Sequence, residues 1–205
     1  MTGAEGAAER VAGKQAEHII AKAVESAGVR DAEDVAAKGA ERTAGRDAAG
    51  AAGGRELSAA DRTALDDYTS HHYVELNDYN RGVGTVSPQE ATQLERRSQA
   101  VSDALAKLPP HEGTVYRGTN LPEDVLTNYR SGETIREDAF TSASTDRPFP
   151  GNAQYTIRSS NGKEVSGYSN VPNENEVLFD RGTRFRVLGH DVVGGVHYIS
   201  LMEVP

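Results

Sequence analysis

Two glutamates one residue apart, Glu174 and Glu176, stand before an apolar run, Val177-Leu178-Phe179. On an extended strand, residues i and i+2 share a face and lie roughly 6–7 Å apart. Carboxylates that close repel, and burial would raise the pKa of at least one. A bare Glu-x-Glu is most often a solvated strand edge. Here the acids sit at the mouth of what reads as a buried strand, and strand ends commonly carry sites. Other polar groups could converge on that mouth. Arg117 lies in Tyr116-Arg117-Gly118; arginine offers a bidentate fork for phosphate, and glycine lets a ligand approach the backbone. In Phe140-Thr-Ser-Ala-Ser144, Ser142 and Ser144 share one face. Hydroxyls on an inner face need partners, and a carboxylate is a natural one.

The elements that must hold these residues change character along the chain. Residues 1–54 contain 17 Ala and 9 Gly, and no aromatic occurs before Tyr68. A segment so poor in large apolar side chains buries little core. Helical stretches are expected near 5–27 and 31–49, with GAAGG at 50–54 as a flexible joint. This region reads as a linker, or the tail of an upstream delivery region, leading to a domain at 55–205. There Ser58 and Asp61 resemble a capping box, and Leu65 and Tyr68 share a helical face. A second helix is expected over about 70–81, with Tyr73, Leu76 and Tyr79 spaced by three. SPQE at 87–90 supplies an N-cap, a proline at the first helical position and a glutamate at N3. Leu94, Val101, Leu105 and Leu108 form that helix's apolar stripe, and Pro109-Pro110 ends it.

Beyond the prolines the pattern turns to strands: 114–118, 139–144, 154–159, 175–179, 183–188 and 196–204, with a short helix around 122–130 and GHDVVGG as the last hairpin connection. Helices followed by strands predict an α+β fold, N-terminal helices packed on an antiparallel-rich sheet core. A domain of ~150 residues buries roughly 68–70% of its unfolded surface and can fold alone.

Composition narrows the function. The 205-residue chain has no cysteine and a formal net charge of −9. That excludes disulfides, thiolate metal sites and a cysteine nucleophile, and makes phosphate-mediated nucleic-acid binding a poor fit. No run is long enough for a membrane helix. The N-terminus lacks the apolar region of a secretory signal peptide, so export would need another route. His71 and His72 diverge on a helix, and His190 and His197 have no acidic companions at ligand spacing, so no metal is expected. No phosphate-loop, GxSxG or HExxH motif occurs.

Arginine, then a Ser-x-Ser strand, then Glu-x-Glu, in that order, resembles the mono-ADP-ribosyltransferase toxins of the Arg–Ser–Glu group. VYRG, AFTSAS, SGYSNVPNENEVLFDRGTRFRV and the closing strand follow that family's order, and YVELNDYNR at 73–81 resembles the helix before its first motif. The resemblance covers roughly residues 57–205. It implies the ADP-ribosyltransferase fold, with helices on two antiparallel-rich β-sheets, and NAD as substrate without a metal. Arg117 would hold the phosphates or the nicotinamide-side ribose, with Tyr116, Gly118 and Ser144 completing the NAD-binding set. Phe149 would stack on nicotinamide. Ser142 would orient the catalytic Glu176, which would hydrogen-bond the ribose 2′-hydroxyl and stabilise the oxocarbenium-like transition state. Glu174 would position, and help deprotonate, an acceptor guanidinium; Glu-x-Glu accompanies arginine as acceptor in this family. Tyr168 would contact the protein target. One departure is Ala143, where the family commonly has threonine; the middle residue of that strand faces away from Ser142.

The reading implied is a bacterial toxin or effector, secreted or injected without a signal peptide. It would act as a monomer in the target-cell cytoplasm on a protein exposing an arginine, with an immunity protein where the victim is bacterial. The alternatives are an NAD glycohydrolase on the same fold and a degenerate, non-enzymatic binding module.

Overall fold

The computed structural model describes residues 56–146, 148–169 and 175–205; the helices and joint expected within residues 5–54, and Glu174, lie outside them. Helix α1 (Ala59–Asp67) begins at a capping box: Ser58 Oγ accepts from Asp61 N at 3.2 Å, and Asp61 Oδ2 accepts from Ser58 N at 2.7 Å. Lys107 Nζ reaches the same carboxylate at 2.6 and 2.7 Å. That ammonium, with the Ser58 donors, lowers the Asp61 pKa to about 2.

The helix expected over 70–81 is divided. A π-helical turn spans Tyr68–His72, with Ser70 at φ −81°, ψ −139°, and α2 begins at Tyr73 and runs to Asn80. Thr69 Oγ1 donates to Leu65 O and Ser70 Oγ to Asp67 O; such local side-chain bonds compete with the helical ladder. The break changes which side chains face inward. Leu76 is buried, Tyr79 is half-buried and Tyr73 is 49% exposed, so the expected stripe loses its first member. Helix α3 (Pro88–Leu105) has the cap read from its sequence, with Ser87 and Glu90 exchanging bonds of 3.3 and 2.8 Å. It buries Leu94, Val101 and Leu105, and Leu108 is buried just beyond it.

The strands are β1 (His111–Thr119), β2 (Thr134–Glu137), β3 (Thr141–Ser144), β4 (Ala153–Glu164), β5 (Glu176–Phe179), β6 (Thr183–Val193) and β7 (Val196–Val204), with α4 (Glu123–Leu126) between β1 and β2. β2 was not anticipated; Ile135 is its one apolar residue. The hairpin joining β6 and β7 is also tighter than expected: GHDVV is strand, and only Gly194-Gly195 turns, both at positive φ. The order β1-β3-β5-β4-β7-β6-β2, with β1 also paired to β4, links the two expected sheets into one seven-stranded network. Among the described residues every pairing is antiparallel except β4 with β7.

Two apolar cores result. One lies inside the strands and includes Val115, Tyr155, Ile157, Val177, Phe179, Phe185, Ile199 and Leu201. The other lies between helices and sheet and includes Leu65, Tyr68, Leu76, Leu94, Val101, Leu105, Phe140 and Leu178. β5 is the seam, because alternate residues of a strand face opposite ways.

Candidate active site

Glu176 is the first residue of β5 and is 6% exposed. Val177 and Phe179 enter the strand core, so Glu176 shares the opposite, helix-facing side with Leu178. The antiparallel register sets Ser144 directly across from Glu176, and Ser142 across from Leu178. Tyr116 of β1 in turn pairs with Ser144. Tyr116, Ser144 and Glu176 therefore form one row across three strands, spanning about 10 Å at roughly 4.8 Å per strand. Ser142, the serine expected to orient Glu176, stands one step off that row, at the diagonal position. Ser144 is the nearer neighbour by register, and its Oγ accepts from Asp146 N at 3.1 Å.

β1 and β3 pair only at Tyr116 and Ser144. Where they part, Arg117 reaches across, and its Nη1 donates to Ser142 O at 2.7 Å. One N–H of the fork is used in this way, and the half-buried guanidinium keeps further donors for an anion.

Gly118 is needed for a reason other than ligand approach. A Cβ there would lie 1.6 Å from the Phe149 carbonyl oxygen and 3.0 Å from Gln154 Nε2. The chain's own loop occupies the space that the sequence assigned to a ligand. Gln154 Nε2 fixes that loop by donating to Phe149 O and Gly151 O, both at 3.1 Å. The Phe149 ring is left 56% exposed, free to meet a flat partner.

Asn175 has φ +47°, the left-handed region that asparagine tolerates, and β5 starts after it. Glu174, the other acid of the pair, lies outside the described residues. The backbone around the turn is tied down: Thr145 N donates to Asn175 O at 3.1 Å and Val165 N to Glu176 O at 3.0 Å. Tyr168 lies in the short 3-10 turn Ser166–Tyr168, half-buried against the helix–sheet core, with the Arg62 guanidinium 5.4 Å above its ring.

Two residues at this site escaped the sequence reading. Tyr68 is buried, with its ring edge-on to Phe140 at 5.0 Å, and its hydroxyl accepts from Asn77 Nδ2 at 3.1 Å. Asn77 Oδ1 accepts from Phe140 N at 3.2 Å, tying α2 to the start of β3. Burial holds the Tyr68 pKa well above the ordinary range; the Asn77 bond opposes that shift, the charge of Glu176 adds to it and that of Arg117 opposes it. The phenol thus stays protonated within the field of both site charges. In sequence Tyr68 is only one apolar helical position among several, and no signal marks it.

His190 and His197 are closer than their spacing suggests. His190 Nε2 and His197 Nδ1 lie 2.9 Å apart, and His197 Nε2 is 3.4 Å from Glu123 Oε2. Among the described residues no group of three or more His, Asp or Glu is arranged to hold a metal.

The family model of the ADP-ribosyltransferase exoenzymes matches residues 46–203. The chain belongs to that family. Mav of Mycobacterium avium strain 104, provisionally named an NAD(+)–arginine ADP-ribosyltransferase, is 44% identical over 142 residues, 66% of this chain and 17% of Mav. The NAD(+)–protein-arginine ADP-ribosyltransferase Tre1 of Serratia proteamaculans strain 568 is 34% identical over 143 residues, 69% of this chain and 31% of Tre1. The chain thus spans less than a third of the length of either relative. Among solved structures, the ADP-ribosyltransferase Vis of Vibrio splendidus, in complex with agmatine, superposes with a TM-score of 0.66 at 25% identity, covering 86% of this chain and 88% of Vis. The family shares the α+β architecture of helices on a strand-rich core found here.

Proposed function

We propose that this chain is an NAD-dependent mono-ADP-ribosyltransferase that transfers ADP-ribose to an arginine of a target protein. The observation that carries the reading is a buried carboxylate, Glu176, at the head of β5, in one row with Ser144 and Tyr116 and beside the β1–β3 split that Arg117 spans. The names of Mav and Tre1 and the agmatine bound to Vis support NAD and a guanidinium acceptor.

NAD fits this set of groups. The remaining Arg117 donors suit a phosphate, the Phe149 ring suits stacking on nicotinamide, and Tyr116 and Ser144 line the row leading to the acid. When the nicotinamide–ribose bond breaks, its electron pair leaves with nicotinamide and positive charge develops on the sugar. A fixed carboxylate at Glu176 stabilises that charge more in the transition state than in the ground state. Ser142 and Ser144, on the face of Glu176, restrict its carboxylate. An acceptor guanidinium nitrogen then bonds to the sugar carbon and gives up a proton, with Glu174 as the carboxylate that orients it and takes that proton. Tyr168 remains the target-facing residue of this reading through its position just before residues 171–174.

The functional unit is residues 55–205, with the Ala/Gly-rich lead joining it to a delivery region; the family match starts nine residues earlier, at 46. The enzyme acts as a monomer, secreted or injected by a route without a signal peptide, in the cytoplasm of a target cell. An immunity protein accompanies it where that cell is bacterial. The exoenzyme character of the family supports this placement.

The test is NAD consumption by the full chain, with and without agmatine, beside Glu176→Gln. Turnover that rises with agmatine and falls by about 10²–10³-fold in the variant supports the transferase. Turnover indifferent to agmatine assigns an NAD glycohydrolase instead, and no turnover with NAD still bound assigns a binding module.

A further inference from the structure

The solvent face of the strand network carries a concentration of arginines that the catalytic reading does not use. Alternation places Ile135, Phe185, Val187, Ile157 and Leu201 inward, in or against the strand core. Their neighbours Arg136, Arg184, Arg186, Arg158 and Met202 therefore face outward. Register aligns them. Arg136 of β2 lies directly across from Arg184 of β6, which pairs with Val204 of β7. Arg186 of β6 pairs with Met202 of β7, which pairs with Arg158 of β4. Four arginines thus occupy two adjacent rows of one face, with half-buried Met202 and Val204 among them.

Like charges directly opposed across two strands destabilise a sheet, and this occurs in a chain whose net charge is −9. The face does not neutralise itself. Arg136 Nε is 3.3 Å from Asp138, in a pair that is mostly exposed on both sides, while Arg158, Arg184 and Arg186 make no ion pair among the described residues. The nearby Glu203 carboxylate is engaged by Ser160 N and Asn161 N, each at 2.7 Å.

We infer that this face of β2, β6, β7 and β4 docks an acidic, extended protein segment. Its carboxylates would alternate with apolar residues so as to match the i, i+2 interval of Arg184 and Arg186, roughly 6–7 Å. Charge complementarity favours carboxylates. The small patch, about 14 Å across its four strands at roughly 4.8 Å per strand, and its apolar Met202 and Val204 favour a peptide over a long phosphate backbone, which the acidic remainder of the chain repels.

The probe is a short labelled peptide in which glutamate alternates with valine, its glutamine counterpart, a short DNA duplex and phosphatidylserine vesicles, each titrated against the full chain. The glutamate peptide is expected to bind, with at least about tenfold weaker binding by Arg184→Glu/Arg186→Glu and of the glutamine peptide. Failure of the glutamate peptide to bind, or equal binding by the variant, overturns the inference, and stronger binding of duplex or vesicles reassigns the face to polyanions. NAD turnover of the variant, expected to equal that of the parent chain, keeps this result separate from the catalytic reading. A milder Arg184→Gln, expected to weaken binding in the same direction, guards against a double variant that does not fold.

Discussion

Phe179 and Glu176 stand three residues apart on β5 and face opposite environments. Phe179 enters a core made almost wholly of strand side chains, where it meets Phe185 edge-on at 5.1 Å. Glu176 faces the helix side, where apolar packing is interleaved with polar groups, the Tyr68 hydroxyl and the Asn77 amide. The strand core admits tyrosine hydroxyls, with Tyr129 donating to Glu137 Oε1 at 2.9 Å, whereas the helix side also admits the Asn77 amide and the Glu176 carboxylate. The difference teaches that on this strand stability and chemistry are allotted by parity. A substitution should therefore damage one without necessarily damaging the other.

The sharpest way to break that comparison is Phe179→Ala. It should cost about 3–5 kcal/mol, a large part of the stability of a domain this size, read as a drop in urea midpoint at unchanged slope. A cost under about 1 kcal/mol would mean that the strand core does not carry the fold. Glu176→Gln should do the reverse. It should remove catalysis by the factor given above while leaving the urea midpoint near that of the parent chain; a melt lowered as far as that of Phe179→Ala would erase the distinction. Tyr68→Phe should fall between them. It leaves the buried Asn77 Nδ2 without its acceptor, at about 1–3 kcal/mol, and should also reduce turnover, since the lost hydroxyl lies in the field of Glu176. Unaltered turnover would show that the polar helix side is only structural.

The smallest effect concerns acid. The folded Asp61 pKa lies at about 2, against an ordinary value of 3.8. A depressed carboxylate contributes stability fully above its unfolded pKa and loses it as pH falls toward the folded one. The Lys107–Asp61 contact should therefore stabilise the chain above 3.8 and fade by about pH 2. Lys107→Gln should lower the melting temperature at neutral pH, with the gap to the parent chain closing over that window. A gap constant with pH would detach the effect from Asp61.

Much of this was legible because the signals were local. The capping boxes at Ser58 and Ser87, the stripe from Leu94 to Leu108 and the alternation in β6 each depend on residues within one element. The Arg–Ser–Glu order pointed to strands that prove to be neighbours: Arg117 on β1, Ser142 and Ser144 on β3 and Glu176 on β5. What escaped depended on contacts between distant segments. Register made Ser144, rather than Ser142, the residue across from Glu176. Gly118 looked like room for a ligand because no sequence shows the Phe149 carbonyl 31 residues on. β2 has a single apolar residue to betray it, and its strand state follows from β6 alongside it. The break at Ser70 came from hydroxyls bonding backward to carbonyls, which overrode a helical pattern.

The placement of β7 bears on how the molecule is assembled in time. This strand comes after every other described strand in sequence, yet it lies between β4 and β6, with the parallel pairing to β4 on one side. Until Val196–Val204 is available, β4 and β6 have no partner to join them, and Ile199 and Leu201 are missing from the strand core. A chain emerging from a ribosome or a narrow conduit can form its helices early, from local contacts, but its sheet must wait for distant ones, which slows folding. The interval in which the polypeptide remains threadable is thus set by the arrival of this last strand.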